Sequence, residues 1–191
     1  GKGTIAILAA GSASRMRGGD KCLELVGGVP LLRVLADRAA ATEWDVAVTL
    51  RPGSARRHHL DTSTTRIVEV SDAETGMAAS FRALSGIGGP LMICLGDMPE
   101  IETTDMLALI AAYDGKAPVR ATAQDGTPGQ PVIFPPPLVA AMARLDGDKG
   151  AQALLKANPP KLVPLPGQSA ITDLDTPEAW AAWRARTGIR R

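Results

Sequence analysis

One stretch near the start of the chain constrains the fold more than any other. Residues 4–8 form a short apolar run between Gly3 and Gly11, which is typical of a buried parallel strand rather than an amphipathic helix. A loop of small residues follows, carrying Arg15 and Lys21. Small side chains let backbone N–H groups approach an anion closely, and the two cations can neutralise it. The stretch therefore predicts an α/β domain with a nucleotide site after its first strand.

Spacing excludes two better-known phosphate-binding loops at this place. Gly11 has no glycine two residues later, so the dinucleotide pattern G-x-G-x-x-G is absent here. Lys21 follows Asp20 and precedes Cys22, which rules out the G-x-x-x-x-G-K-[ST] loop. On the residues alone, an ordinary strand-to-helix connection with solvated cations stays open as the alternative.

Composition limits the class of protein and its partners. A chain of 191 residues with 45% hydrophobic and 21% charged residues is typical of one soluble globular domain with a sizeable core. The net charge is +1 and aromatic residues make up only 3%, which argues against nucleic acid as a partner. No apolar run has the length of a membrane span, no secretory signal is visible, and two cysteines make no disulfide framework. We therefore expect no membrane partner and a cytoplasmic location.

Strand and helix patterns alternate along most of the chain. Residues 119–123 and 132–134 interrupt the alternation, because they read as two strands with no helix between them. The pattern predicts one domain over residues 1–191, a three-layer α/β/α Rossmann-like fold whose sheet is mostly parallel with an antiparallel edge. The other predicted strands are 4–8, 45–50, 67–70, 91–95 and 161–165, and the predicted helices are 30–41, 54–60, 77–84, 103–113, 138–145, 151–157 and 176–186.

Carboxylates follow the fourth strand and recur near the end of the chain. Asp97 comes directly after the most apolar strand, and a mostly parallel sheet places its ligand at the carboxyl ends of its strands. Asp173 and Asp175 are two residues apart, so they point the same way if the segment is extended. Mg²⁺ favours one or two carboxylates together with phosphate oxygens and water. Helix capping is the alternative for Asp97 and for one acid of the later pair.

Of two other segments, one favours a ligand-binding site and the other argues against a metal site. Residues 76–82 open a helix, where free N–H groups suit an anion or a base edge. His58 and His59 are adjacent on a short helix, so they diverge around it and do not share a metal site. We predict that both histidines lie on a solvated face.

Several motifs, spread along the chain in a fixed order, together resemble one enzyme family. The chain is similar to the nucleotidyltransferases of the molybdenum cofactor cytidylyltransferase type, which are related to the molybdenum cofactor guanylyltransferases. The motifs are L-A-A-G-x-x-x-R-M (residues 8–16), G-M-A-A-S (76–80), G-D-M-P (96–99), G-Q-P-V (129–132), G-D-K-G-A (147–151) and D-L-D-T-P-E (173–178).

The resemblance implies a reaction and a cofactor. CMP would pass from CTP to a phosphate-bearing acceptor, molybdenum-molybdopterin, giving molybdopterin cytosine dinucleotide and pyrophosphate. Asp97 and Asp175 would hold Mg²⁺, and Lys21, Arg15 and Asp97 would be the catalytic residues. The nucleotide would contact Leu8, Ala9, Ala10, Gly11, Ser12, Arg15, Lys21, Gly76, Ser80 and Asp97.

For the second substrate, the resemblance points to Gln130, Pro131 and Asp173. The family commonly has histidine where this chain has Gln130. Glutamine donates and accepts hydrogen bonds but does not titrate near neutral pH. We therefore expect Gln130 to contact the acceptor rather than to transfer a proton.

Two other functions stay open. One is a cytidylyl- or uridylyltransferase that acts on a sugar or polyol phosphate, which shares the first motif but fits the later ones less well. The other is a non-catalytic carrier or chaperone that holds a finished nucleotide cofactor for a client molybdoenzyme. Magnesium-dependent release of pyrophosphate would separate an enzyme from a carrier.

Overall fold

The structure, a computed structural model, describes residues 2–12, 14–147 and 150–191. Most of the strands belong to one seven-stranded sheet, and helices alternate with them along the chain. The strands are β1 (Thr4–Leu8), β2 (Leu25–Val26), β3 (Val29–Pro30), β4 (Asp45–Leu50), β5 (Thr65–Glu69), β6 (Leu91–Leu95), β7 (Val119–Thr122), β8 (Pro128–Phe134) and β9 (Lys161–Pro164). The helices are α1 (Leu31–Ala40), α2 (Ala78–Leu84), α3 (Thr103–Ala112), α4 (Pro136–Ala141), α5 (Gln152–Ala157) and α6 (Pro177–Thr187).

The apolar run at residues 4–8 forms β1, an inner strand of the sheet. It pairs in parallel with β4 on one side and with β6 on the other. Ile5, Ala6 and Ile7 are completely buried, as expected for a strand covered on both faces. The order of the sheet is β5-β4-β1-β6-β8-β7-β9, so the predicted mostly parallel α/β sheet is confirmed.

The antiparallel pairing predicted from residues 119–134 is present, and it lies inside the sheet rather than at its edge. β8 runs antiparallel to both β6 and β7. The chain then passes through α4 and α5 and adds β9 in parallel on the outer side of β7. This last strand covers the pair that the sequence places at the edge.

Two apolar layers of side chains show why helices cover both faces. Alternate residues of each strand enter different clusters, since successive side chains point to opposite faces. On β6, Met92 and Cys94 pack with α1, α3 and α6, whereas Leu91 and Ile93 pack with α2, α4 and α5. The sheet therefore lies between two helical layers, and the predicted three-layer architecture is confirmed. Among the described helices, none combines the length and apolarity needed to cross a membrane.

A small hairpin that the sequence does not predict leads the chain into α1. β2 and β3 pair in antiparallel register around Gly27 and Gly28. Both glycines have positive φ angles, 58° and 86°, which two-residue hairpin turns require and which glycine adopts without steric cost.

Candidate active site

A cleft of about 540 Å³ lies at the carboxyl ends of β1 and β6. We call it the main cleft. Its walls come from the loop after β1, the start of α2 and the end of β6. Every residue predicted to contact a nucleotide lines it, although those contacts themselves stay a prediction. These residues are Leu8, Ala9, Ala10, Gly11, Ser12, Arg15, Lys21, Gly76, Ser80 and Asp97.

Two arginines hold the backbone of the first loop, residues 9–21. Arg51 Nε donates a hydrogen bond to the carbonyl oxygen of Ala10 at 2.7 Å. Arg56 Nη1 donates to the carbonyl oxygens of Ala9 at 2.7 Å and Gly11 at 3.2 Å. Because each peptide is planar and trans, the N–H groups that follow these carbonyls point the opposite way. The arginines thus turn the carbonyl oxygens away from an anion that approaches the N–H side.

Arg56 is also tied to the first loop through Asp20. Arg56 Nε contacts Asp20 Oδ2 at 2.8 Å, and the arginine side chain is only 9% exposed. Asp20 Oδ1 in turn accepts a hydrogen bond from the backbone N–H of Cys22 at 2.9 Å. One guanidinium therefore joins both ends of the loop.

The sequence did not identify either arginine as part of the site. Arg51 directly follows β4 at the ligand-binding edge, so the strand-end rule that identifies Asp97 also applies to it. Arg56 lies in a 3-10 helix, Ala55–His59, with Ser54 as its N-cap. His58 and His59 on that helix are exposed, as predicted, whereas Arg56 is buried. No local pattern distinguishes Arg56 from its exposed neighbours.

Three acids meet where Asp97 lines the main cleft. The carboxylate cluster consists of Asp97, Asp173 and Asp175, each with an oxygen within 4.8 Å of the others. The backbone N–H of Leu174 donates to the carbonyl oxygen of Asp97 at 3.0 Å, which holds the later segment against the end of β6. Asp97 Oδ1 is buried and has no hydrogen-bond partner among the described residues. Clustered carboxylates with an unsatisfied buried oxygen are suited to binding a divalent cation.

Lys21 bridges two of these acids. Its Nζ lies 2.9 Å from Asp97 Oδ2 and 2.6 Å from Asp175 Oδ1. Arg15 Nη1 lies 3.5 Å from Asp175 Oδ2, and its side chain is 75% exposed. The predicted cations and the predicted metal ligands therefore meet in one place. Asp173, predicted for the second substrate, lies with them.

Burial and nearby charges shift the pKa values of Asp97 and Asp175 in opposite directions. Burial raises the pKa of Asp97 above its usual value, although the Lys21 ammonium opposes the rise. Burial also acts to raise the pKa of Asp175, but the hydrogen bonds with Lys21 and Asp97 and the charges of Lys21 and Arg15 together outweigh it, and the pKa is lowered. For Lys21, the two carboxylates outweigh burial and raise the pKa. Lys21 is consequently cationic at neutral pH.

A smaller cavity of about 250 Å³ lies beside the main cleft, with Met77 and Leu95 lining both. We call it the second cavity. Of the residues predicted for the second substrate, Gln130 lines this cavity, whereas Pro131 is buried and lines neither cavity; their contact with a substrate stays a prediction. Within the G-D-K-G-A motif, Gly150 and Ala151 contribute to its wall, and Asp148 and Lys149 lie outside the described residues.

Steric contact explains the glycine of the G-Q-P-V motif. A Cβ atom on Gly129 would lie 2.0 Å from the carbonyl oxygen of Ala170. Any larger residue would push apart β8 and the segment that leads towards the carboxylate cluster. Gly129 therefore has a packing role.

One family model matches most of the chain, and two solved structures are similar to it over nearly their whole length. The family model described as the MobA-like NTP transferase domain matches residues 5–162. The crystal structure of Rv0371c from Mycobacterium tuberculosis H37Rv is 26% identical, covers 95% of this chain and 97% of that one, and has a TM-score of 0.82. A structure of Rv0371c in complex with manganese, 25% identical, covers 95% of this chain and 97% of that one, with a TM-score of 0.78.

Two further comparisons show less about this chain. Molybdopterin-guanine dinucleotide biosynthesis protein A from Archaeoglobus fulgidus is 12% identical, covers 97% of this chain and 98% of that one, and has a TM-score of 0.70. That likeness shows a shared fold alone. The bifunctional protein GlmU of Geobacter sulfurreducens is 32% identical over 120 residues, covering 59% of this chain and 25% of that protein. The match therefore spans about a quarter of this curated relative.

Proposed function

The chain belongs to the MobA-like NTP transferase domain family, and from that premise we propose that it transfers CMP from CTP to the phosphate of molybdenum-molybdopterin. The products would be molybdopterin cytosine dinucleotide and pyrophosphate. The observation that carries this proposal is the main cleft, where the first loop, two cations and the carboxylate cluster converge. These are the parts that nucleotidyl transfer from a triphosphate needs.

The first loop and the cations would bind the nucleotide. The base and ribose lie against residues 8–11 in this proposal, and the triphosphate extends towards Lys21 and Arg15. In-line displacement at a phosphorus depends on positioning and charge neutralisation rather than on covalent help. The attacking group is a phosphate that is already ionised, so no strong general base is needed. A glutamine at position 130, which does not titrate near neutral pH, is compatible with a reaction that needs no base there.

The carboxylate cluster fits the divalent cation that such a reaction uses. Asp97 and Asp175 would hold Mg²⁺, with Asp173 beside them, because Asp97 Oδ1 is buried without a partner among the described residues. When bound there, Mg²⁺ would supply positive charge to the triphosphate oxygens. The Lys21 ammonium contacts oxygens of the same two carboxylates, Asp97 and Asp175. Once those two carboxylates are neutralised by Mg²⁺, the Lys21 ammonium would be free to contact the departing pyrophosphate.

Neutralising Lys21 or Arg15 should weaken binding of CTP more than binding of CMP. Lys21→Ala and Arg15→Gln each remove a cation that we place near the leaving pyrophosphate, and CMP lacks those phosphates. Calorimetric titration of each variant with both ligands measures the difference. Arg33→Gln, which removes an exposed arginine paired with Asp37 on α1, is the control. Equal losses for CTP and CMP would refute the assignment.

Ala10 is expected to contribute to selection of the base. The related guanylyltransferases resemble this loop but have glycine at this position, and Ala10 is 2% exposed at the wall of the main cleft. Its methyl group leaves room for a pyrimidine, whereas glycine would relax the backbone and admit a larger ring. A difference of one methyl group discriminates by about 10–200-fold. We therefore predict that the wild type prefers CTP over GTP and that Ala10→Gly narrows the preference.

The measurement is kcat/KM for CTP and GTP with one acceptor, in both proteins. Most of the change should come from a gain in GTP activity. A wild type that prefers GTP, or a ratio that the substitution leaves unchanged, would remove Ala10 from the base pocket.

An acceptor screen tests the proposed function as a whole. Pyrophosphate release is measured with CTP and Mg²⁺ in the presence of molybdenum-molybdopterin, a sugar phosphate, a polyol phosphate, or no acceptor. We expect release with molybdenum-molybdopterin only. Release with a sugar or polyol phosphate would identify the other class of transferase. Tight nucleotide binding without release would identify a carrier.

A further inference from the structure

We propose that the second cavity binds the part of the acceptor remote from its reacting phosphate, and that Arg120 there pairs with an anionic group on that part. The proposal rests on the proposed function in that it treats the molecule in this cavity as the acceptor. It adds a feature of the acceptor, a flat ring system that carries an anionic group, and a residue that selects for that group.

The strand pattern places Arg120 on the face that lines the cavity. Its neighbours Val119 and Ala121 belong to the apolar cluster formed with α1, α3 and α6. Arg120 therefore points to the opposite face, which α2 and α5 cover. Its register partner on β8 is Val132, and both residues line the second cavity. Arg120 thus extends from the sheet surface that lines the cavity.

Within the part of the chain that the structure describes, the Arg120 side chain donates one hydrogen bond, which leaves most of its donors for a ligand. Its Nε donates to the carbonyl oxygen of Gly129 at 3.0 Å, which fixes the side chain along the strand. Among residues 2–12, 14–147 and 150–191, no carboxylate forms an ion pair with it. Burial lowers the pKa of Arg120, because removing water disfavours the charged form. A guanidinium offers five donors in a planar fork that matches a carboxylate, phosphate or similar anion.

The remainder of the lining indicates the body that carries the anion. Most of it is apolar, with Gln130 and Gln152 as the other polar side chains. The hydroxyl groups of a sugar or polyol would lose hydrogen bonds to water in such a cavity, whereas the faces of a flat ring system would gain contacts. The apolar lining consists of Met77, Phe81, Ile93, Leu95, Val132, Phe134, Ala151 and Leu155.

The location suits a molecule that reaches the reaction centre. Met77 and Leu95 form walls common to the second cavity and the main cleft. Leu95 is the last residue of β6, two positions before Asp97. An acceptor with its body in the second cavity therefore lies next to the cleft in which its phosphate would react.

Two dyes with the same ring body isolate the role of the charge. They are 8-anilinonaphthalene-1-sulfonate, which is an anion, and N-phenyl-1-naphthylamine, which lacks the sulfonate. Fluorescence titration of the wild type should show binding of both. Arg120→Gln should weaken binding of the sulfonate about 10- to 100-fold, the range for a hydrogen-bonded ionic contact, and leave the uncharged dye within about twofold. Arg120→Lys should retain part of the sulfonate affinity.

The control is Arg66→Gln, which changes an exposed arginine on the edge strand β5 and should alter neither titration. Thermal unfolding of each variant verifies that it is folded. Equal losses for the two dyes in Arg120→Gln, unchanged sulfonate binding, or a wild type that binds neither dye would overturn the proposal.

A kinetic measurement separates this proposal from the proposed function. With molybdenum-molybdopterin, Arg120→Gln should raise the KM for the acceptor about tenfold or more and leave the KM for CTP unchanged. An unchanged acceptor KM would overturn the role of Arg120. A wild type that releases no pyrophosphate with any acceptor would refute the proposed function, whereas the dye titrations would still decide whether the cavity binds an apolar anion.

Discussion

Asp97→Ala is expected to reduce turnover at least about a hundredfold, the scale for removing one group that stabilises a transition state. Asp97 lies at the end of the central strand β6, contacts Lys21 at 2.9 Å and has a second, buried oxygen without a partner among the described residues. Loss of this carboxylate would remove a proposed cation ligand and leave Lys21 with Asp175 alone. The measurement is kcat at saturating CTP, Mg²⁺ and acceptor.

The variant should remain folded. Burial disfavours the ionised Asp97 side chain, as its raised pKa indicates, so replacing it with alanine removes an unfavourable burial. The hydrogen bond from Leu174 goes to the backbone carbonyl of Asp97 and survives the substitution. The control is Asp45→Ala. Asp45 is exposed at the start of β4, at the opposite end of the strands from the main cleft. Near-normal turnover of Asp97→Ala would remove Asp97 from the reaction centre.

Arg56→Met should lower both the stability of the protein and its kcat/KM for the nucleotide. The substitution removes the hydrogen bonds to Ala9 and Gly11 and leaves Asp20 without its arginine. Removing one partner of a largely buried ion pair costs about 3 kcal/mol, and urea unfolding would measure that loss. With the first loop no longer held, we expect kcat/KM for CTP to fall about a hundredfold, the scale of the loss when a positioning group is misplaced.

The neighbouring residue supplies a matched control. Arg57 pairs with Glu69 at 2.9 Å, and that carboxylate side chain is 54% exposed. Exposed pairs contribute about 0–1 kcal/mol, so Arg57→Met should change stability little and kcat/KM hardly at all. Assays at a temperature where both variants are folded separate the loop effect from unfolding. Normal CTP kinetics in folded Arg56→Met would show that Arg56 does not organise the loop.

The fold was predictable because its strongest signals are local. The apolar run at residues 4–8 has no polar face, so it had to lie inside a parallel sheet, where β1 is found. The predicted bounds 45–50 and 91–95 coincide with β4 and β6. The same reasoning predicts Asp97 as a site residue, because a charged side chain just beyond a buried strand lies at the ligand-binding edge.

What sequence reasoning missed depends on contacts between distant segments. The pattern Val-Arg-Ala-Thr at β7 shows that Arg120 points away from its neighbours, but only the covering helices α2 and α5 make its surroundings apolar. Arg56 is buried because the first loop and Asp20, 36 residues earlier, pack over it. The position of β7 inside the sheet depends on β9, whose mostly exposed residues carry no sign of pairing with β7.

The fate of the phosphorus atoms of CTP tests the central claim most directly. Parallel reactions contain CTP labelled with ³²P at either the α- or the γ-phosphate, together with Mg²⁺, molybdenum-molybdopterin and the wild-type protein. If the chain is a cytidylyltransferase, the α-label will appear in a new product joined to the acceptor, and the γ-label will leave as pyrophosphate in equal amount. Transfer of the γ-label to the acceptor, or bound CTP with neither label transferred, would contradict the account.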